Sequence, residues 1–177
     1  MLVYFLRHAS AGQHVADAEE DEKRPLDKQG IVHCHDVGRL LSSLKAKVDL
    51  IISSPLKRAA QTASLVGEEL GYRSELLLDT ALSPDAAYED FRALLRRHGE
   101  VEALMVVGHN PTLSNFLSLL ITNGSAGNAA EMKKGSVARV EYDGKEGSLD
   151  WLLTPKIARA AHSDSKAASS RPKTARK

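Results

Sequence analysis

At 177 residues, 42% of them hydrophobic and 27% charged, with a formal net charge of +1, the chain has the size and balance of one soluble domain with room for a tail. A single cysteine, Cys34, excludes an internal disulfide and suits a reducing compartment. The apolar start, Leu2 to Leu6, is far shorter than the roughly 20 residues of a membrane span and has no basic segment before it, so the chain reads as cytoplasmic and free of membrane.

In chain order, "LVYFL" (2–6) is a continuous apolar run, as expected of a strand buried on both faces, and it ends abruptly in Arg7 and His8. Residues 12–28, including "DAEEDEKRP", lack periodicity and read as a loop long enough to serve a site, with the acidic run a solvated surface. Val37, Leu40, Leu41 and Leu44 then follow helical spacing after Gly30. "VDLIISS" (48–54) predicts a second strand, with Asp49 as a turn or cap. A helix is expected from about Leu56 to Leu70, stopped by Gly71.

"DAAYEDFRALLRRH" (85–98) predicts a third helix, with Ser83-Pro84 as its N-terminal signal and Gly99 as its stop. "EALMVVGH" (102–109) reads as a third buried strand, and "PTLSNFLSLLIT" (111–122) as a fourth helix with Pro111 near its first turn. "SVARVEYD" and "SLDWLL", separated by Gly144 and Gly147, read as a hairpin or two adjacent strands. Strands alternating with helices predict an α/β domain over residues 1–155, a three-layer α/β/α sandwich around a mostly parallel sheet.

The charge is unevenly spread. From Lys156 onward seven Lys or Arg stand against one Asp, leaving 17 basic and 22 acidic residues in 1–155. The segment 156–177 is rich in Ser and Ala and poor in large apolar residues, so it reads as a disordered, solubilising tail. It interleaves no aromatic residues for base stacking, and nucleic acid is not the expected partner.

In open α/β sheets, ligands bind outside the carboxyl ends of the parallel strands. Arg7-His8 leaves the first strand at such an end. "SSPLKRAAQTA" follows the second and puts Arg58 early in the next helix, and "GHNP" puts His109 at the end of the third. Convergence of these ends gives a pocket of two arginines and two histidines. Guanidiniums stay charged and offer forked donors to tetrahedral oxyanions, and helix starts after Pro55 and Pro111 add backbone donors. Phosphoryl is the fitting anion, and two guanidiniums disfavour a cation, so neither metal nor cofactor is expected. A neutral imidazole can attack phosphorus and give a phosphohistidine that water then hydrolyses. Elsewhere, "VHCHD" suggests metal ligands, but residues two apart on a helix diverge, so Cys34 reads as core and His33 and His35 as surface. His14 and His98 read as surface residues, and Trp151 as core.

"LRHAS", "SSPLKRAAQTA" and "GHNP" together resemble the signature segments of the histidine phosphatase superfamily, the phosphoglycerate mutase-like fold. The short length and "RPLDKQG" look like its SixA-type phosphohistidine phosphatase branch, and the resemblance covers about residues 1–155. It implies that His8 is the nucleophile, that Arg7 and Arg58 bind the phosphoryl oxygens, and that His109 completes the pocket. Arg24 matches an arginine of this branch that approaches the phosphate or orients the loop. Ala9 replaces the glycine of the usual "RHG" but stays small. A general acid has no clear match: Asp79, Asp85 and Glu89 lie nearest, and Asp85, after "LSP", is the choice among them.

An absent acid penalises esters more than phosphoramidates, because an alkoxide leaving group needs a proton. The expected activity is therefore metal-independent hydrolysis of phosphohistidine on a protein by a monomer. The alternatives are hydrolysis of small phosphomonoesters or pyrophosphate-containing metabolites, and a non-catalytic phosphate-binding adaptor.

Overall fold

The N-terminal apolar run forms β1 (Leu2–Arg7), whose side chains alternate between two cores. Val3 and Phe5 enter one and Tyr4 and Leu6 the other, because successive side chains of a strand point to opposite faces. The strand Ala103–Gly108 (β4) repeats the pattern, Leu104 and Val106 on one side and Met105 and Val107 on the other. The computed structural model describes residues 1–125 and 128–161.

With β2 (Leu50–Ser53), β3 (Leu77–Leu78), β5 (Val137–Tyr142) and β6 (Gly147–Leu153), these strands make one sheet in the order β3-β2-β4-β1-β5-β6. The first four are mutually parallel, and β5 and β6 add an antiparallel hairpin beside β1. Helices α2 (Lys28–Ser43) and α3 (Lys57–Glu69) cover one face through Cys34, Val37, Leu41, Ala59, Ala63 and Val66. On the other face lie α4 (Tyr88–Arg97) and α5 (Thr112–Ile121), where the Phe91 and Phe116 rings stack 4.9 Å apart and Phe5 tilts against Phe91 at 5.6 Å. The fold is the expected three-layer α/β/α sandwich. Among the described residues no helix is long and apolar enough to cross a membrane.

The structure corrects several expectations. The stretch read as a loop contains α1 (Ala18–Lys23). Asp17 accepts from the Glu20 amide, and three acidic residues in the first turn complement the helix dipole. α4 starts at Tyr88 rather than just after Ser83-Pro84. Asp79 caps a 3-10 turn at Thr80–Leu82 and the Ala86 amide bonds to the Ser83 carbonyl, so Ser83-Pro84 closes that turn instead of opening the helix.

The expected tail starts as part of the domain. Residues 155–161 form a sixth helix, its Ala158 fully buried and Arg159 paired with Asp36 of α2 at 3.1 Å. Residues 162–177 lie outside the described part, and with them the rest of the expected disorder.

The registers Arg7 to Gly108 and Ser53 to Val107 bring the carboxyl ends of β1, β4 and β2 to one edge of the sheet.

Candidate active site

At this edge the four residues singled out in the sequence come together. His8 directly follows β1, and its amide donates to the Gly108 carbonyl at 3.0 Å. His109 directly follows β4, and the two imidazoles tilt against each other with centroids 4.9 Å apart. Arg58 is the second residue of α3 and Arg7 the last of β1. His8, Arg58 and His109 are buried, at 8%, 6% and 2% exposure, and Arg7 is half-buried.

Each side chain has a fixed orientation. His8 Nδ1 lies 2.8 Å from the Ala9 carbonyl, which can only accept, so the ring proton sits on Nδ1. Nε2 then carries the lone pair, and among the described residues it has no hydrogen-bond partner. Arg7 donates from Nη1 to the Met132 carbonyl at 2.7 Å. Arg58 donates from Nη1 to the Asp21 carbonyl at 2.7 Å and stands 3.2 Å from the Asp21 carboxylate. His109 Nε2 meets Ser54 Oγ at 2.8 Å. Thr62 Oγ1 accepts from the Ala9 amide at 3.1 Å and donates to the Arg58 carbonyl at 2.7 Å, which ties the end of β1 to α3.

Among the described residues, three buried nitrogens of this cluster have no hydrogen-bond partner: Arg7 Nε, Arg58 Nε and His109 Nδ1. Unpaired buried polar groups are rare in folded proteins. Two guanidiniums and an imidazole that each hold a nitrogen in reserve form the complement of an oxyanion.

Burial, reinforced by the Arg58, Arg7 and Lys134 charges, pushes the His8 pKa down to about 4 against the pull of the Ala9 carbonyl. Burial and then the neighbouring His8, Arg58 and Arg7 push His109 down to about 3. Both rings are therefore neutral near pH 7. Burial also lowers both guanidinium pKa values, offset by Glu131 at Arg7 and chiefly by Asp21 at Arg58. A guanidinium stays protonated throughout this range.

Two residues of the site were not foreseen. Asp21, in the acidic run expected to be solvated, is 8% exposed and holds Arg58, Arg24 and His14 together. Burial works against its charge, but hydrogen bonds from Arg24, His14 and the Val15 amide outweigh it and keep the carboxyl well below the usual range. His14, expected to lack a partner, donates to this carboxylate at 2.8 Å while its ring stays largely exposed. Nothing in the local pattern "DAEEDEK" separates Asp21 from its neighbours. Ser54 was visible only as part of "SSP".

Arg24 donates to Asp21 at 2.8 Å and to the Ala11 carbonyl at 2.5 Å, so it braces the loop after His8. The rest of "RPLDKQG" is equally structural. Asp27 caps α2 through the Gly30 amide and accepts from Ser10 Oγ and the Gly12 amide. A Cβ at Gly30 would lie 2.0 Å from the Ser10 carbonyl oxygen, which is why glycine stands there.

Of the candidate acids, Asp79 is a cap paired with Arg97 at 3.0 Å, and Glu89 is exposed in the first turn of α4. Asp85 is exposed and has no hydrogen bond or ion pair among the described residues. The Thr112 hydroxyl of α5 holds its turn by donating to the Pro84 carbonyl, and among the described residues Asp85 forms no hydrogen bond or ion pair with the four central residues. Away from the site, Cys34 is buried as expected, and burial pushes its thiol up to about 12. His35 pairs with Glu69 at 2.8 Å. A wide cleft of about 1240 Å³ lies at the opposite end of the strands, lined by Met1, Leu2, Glu100, Glu102, Glu141 and Tyr142 among others. Among the described residues no Arg, His or Lys side chain lines it, and four glutamates and an aspartate do.

The pattern of the histidine phosphatase superfamily (branch 1) matches residues 3–83, which contain Arg7, His8 and Arg58. An uncharacterised protein of Picosynechococcus is 34% identical over 140 residues, covering 77% of this chain and 82% of its own. The chain belongs to the histidine phosphatase superfamily. Its likenesses gather on the SixA branch. Phosphohistidine phosphatase SixA of Escherichia coli is 26% identical over 167 residues, covering 90% of this chain and 99% of its own. The structure of protein histidine phosphatase SixA complexed with tungstate superposes with a TM-score of 0.79 at 23% identity, over 88% of this chain and 98% of that one. Membership assigns the histidine phosphatase its chemistry class, phosphatase hydrolysis.

Proposed function

We propose that this histidine phosphatase removes the phosphoryl group from phosphohistidine on a protein, through a phosphohistidine intermediate on His8 and without a metal ion. The observation that carries the reading is the neutral His8, whose Nε2 has no partner among the described residues, beside three buried nitrogens that likewise have none there. His8 Nε2 attacks phosphorus, the new N–P bond forms, and the bond to the leaving nitrogen breaks with its electron pair staying on that nitrogen. Water then attacks phosphorus, the His8–P bond breaks, its electron pair returns to Nε2, and the water proton leaves on inorganic phosphate.

Arg7 and Arg58 neutralise the equatorial oxygens, which is the main demand of phosphoryl transfer and the role a metal ion otherwise fills. Ser54 Oγ accepts from the Leu56 amide at 3.3 Å, which leaves its hydroxyl proton for His109 Nε2. His109 then carries its proton on Nδ1, the nitrogen with no partner among the described residues, as a donor to a phosphoryl oxygen. None of the candidate acids Asp79, Asp85 and Glu89 forms a hydrogen bond or ion pair with the four central residues, and Asp21 is committed to Arg58 and Arg24, which favours phosphoramidates, whose leaving imidazole needs less protonation than an alkoxide.

The test is phosphate release from a phosphohistidine-bearing protein and from small phosphoesters, with and without a chelator, by wild type and His8→Ala. Release from the phosphoprotein that survives the chelator and vanishes in the variant is the expected result. Release from small esters alone overturns the substrate class, and phosphate binding with no release from either substrate overturns catalysis.

A further inference from the structure

A second cleft, of about 440 Å³, opens beside Arg7 and is lined by Asn110, Ser114, Asn115, Asn128 and Glu131 among others. Its wall is built by the stretch that precedes β5. The amides of Ala130 and Met132 donate to Ser118 and Ser114 of α5, and the Met132 carbonyl accepts from both Arg7 and Asn110. Met132 is fully buried, and Glu131, exposed between two anchored residues, borders the cleft instead of the core.

Arg7 and Glu131 are the charged residues of the lining; the others are amides, a hydroxyl and small apolar groups. Glu131 makes no ion pair within 4 Å among the described residues, so its carboxylate is not committed to Arg7 or to the nearby lysines. Its charge nonetheless reaches the Arg7 guanidinium and partly offsets the effect of burial there. The cleft thus continues directly from a phosphate-binding arginine to an uncommitted carboxylate, through walls of neutral polar groups. Its volume is ample for a ring-bearing side chain together with the backbone that carries it.

We infer that this cleft receives the leaving group of the phosphoryl donor, the imidazole of the substrate phosphohistidine, and that Glu131 accepts a hydrogen bond from the ring N–H remote from phosphorus. The inference rests on the proposed phosphohistidine substrate. A phosphoimidazole protonated on its remote nitrogen leaves as neutral imidazole: the N–P electron pair stays on the near nitrogen, the proton stays on the remote one, and no further acid is needed. A carboxylate at that N–H stabilises the protonated ring and so raises the fraction of bound substrate ready to react. This supplies a physical reason for the missing contact at Asp85. The residue that handles the leaving group is at the rim of the cleft beside Arg7, and it selects for ring nitrogen over alkoxide.

The experiment compares wild type, Glu131→Gln and Glu131→Asp on phosphoimidazole, on a phosphohistidine-bearing protein and on p-nitrophenyl phosphate, whose leaving group needs no proton. Glu131→Gln is expected to lose roughly tenfold in kcat/KM on both phosphoramidates and several-fold less on the aryl ester, with Glu131→Asp recovering most of the difference. The alkaline limb of kcat on phosphoimidazole, which reports the bound complex, is expected to move to lower pH in Glu131→Gln. Equal losses on all three substrates, or an unmoved limb, overturn the inference while leaving the proposed function standing. A wild type that hydrolyses the aryl ester but neither phosphoramidate overturns the proposed function and this inference with it.

Discussion

Asp21 and Arg58, 37 residues apart in the chain, meet at the candidate active site: the guanidinium donates to the Asp21 carbonyl at 2.7 Å and stands 3.2 Å from its carboxylate. The same carboxylate accepts from Arg24 at 2.8 Å. Asp21 therefore aims Arg58 while leaving its Nε free for ligand. Asp21→Ala strips a buried cation of its partner, and removing one member of a buried pair costs roughly 3–5 kcal/mol. The expected result is a clear loss of stability in urea unfolding together with at least a tenfold loss in kcat/KM. An Asp21→Asn variant that keeps the shape is expected to be more stable than Asp21→Ala yet still impaired in phosphate affinity.

His8 is expected to carry the phosphoryl group during turnover. Rapid acid-free quenching with labelled substrate should trap one phosphoryl group per chain on the wild type, stable in base and labile in acid. His8→Ala should trap none and still bind inorganic phosphate, because Arg7, Arg58 and His109 remain.

The low pKa of His8 places the acid limb of kcat/KM near pH 4 instead of near 6.5, since only the neutral ring attacks. Stability follows the same groups with a definite sign. Both histidines take up protons in the unfolded chain near pH 6.5 but in the folded one only near 4 and 3. The unfolded state therefore binds more protons across that window, and stability rises with pH from about 3 to 6.5. Thermal unfolding of wild type and a His8→Ala, His109→Ala pair between pH 4 and 7 checks this: the wild type should show the steeper slope.

Ser54→Ala removes the hydroxyl that fixes the His109 ring. A buried imidazole nitrogen left without its partner costs about 1–3 kcal/mol, so a fall of roughly tenfold in kcat is expected with little change in fold. Ser54→Thr, which keeps the hydroxyl, should retain more activity than Ser54→Ala.

Gly30→Ala sets two effects against each other. Alanine gains about 1 kcal/mol of helix propensity over glycine, but here its Cβ would lie 2.0 Å from the Ser10 backbone oxygen. A backbone clash of that depth cannot be relieved by a side-chain rotation, so the variant should lose at least about 2 kcal/mol overall. Activity should fall with it, because Ser10 and Asp27 shape the loop that follows His8.

Much of this protein could be read along the chain. β1 and β4 are legible because a strand buried on both faces needs an unbroken apolar run, and α3 because Ala59, Ala63 and Val66 recur at helical spacing. Arg7, His8 and His109 were legible for a related reason: they sit where apolar runs stop, and parallel strands bring such stops to one edge, with Arg58 early in the helix that follows another such run. Local sequence determined those elements and those four residues.

Only the tertiary structure decided which neighbours make them work. Asp21 is one of four acidic residues in "EEDE", and what singles it out is burial against Arg58 and Arg24. Ser54 becomes a partner of His109 across a sequence separation of 55 residues, and Glu131 reaches the cleft beside Arg7 because its flanking amides are pinned on α5. The helix at 155–161 likewise owes its place to Ala158 packing in the core and Arg159 pairing with Asp36, not to its composition. Propensity and hydrophobic period act over a few residues, whereas ion pairs, orphaned donors and cleft walls are set by segments that meet only when the sheet has formed.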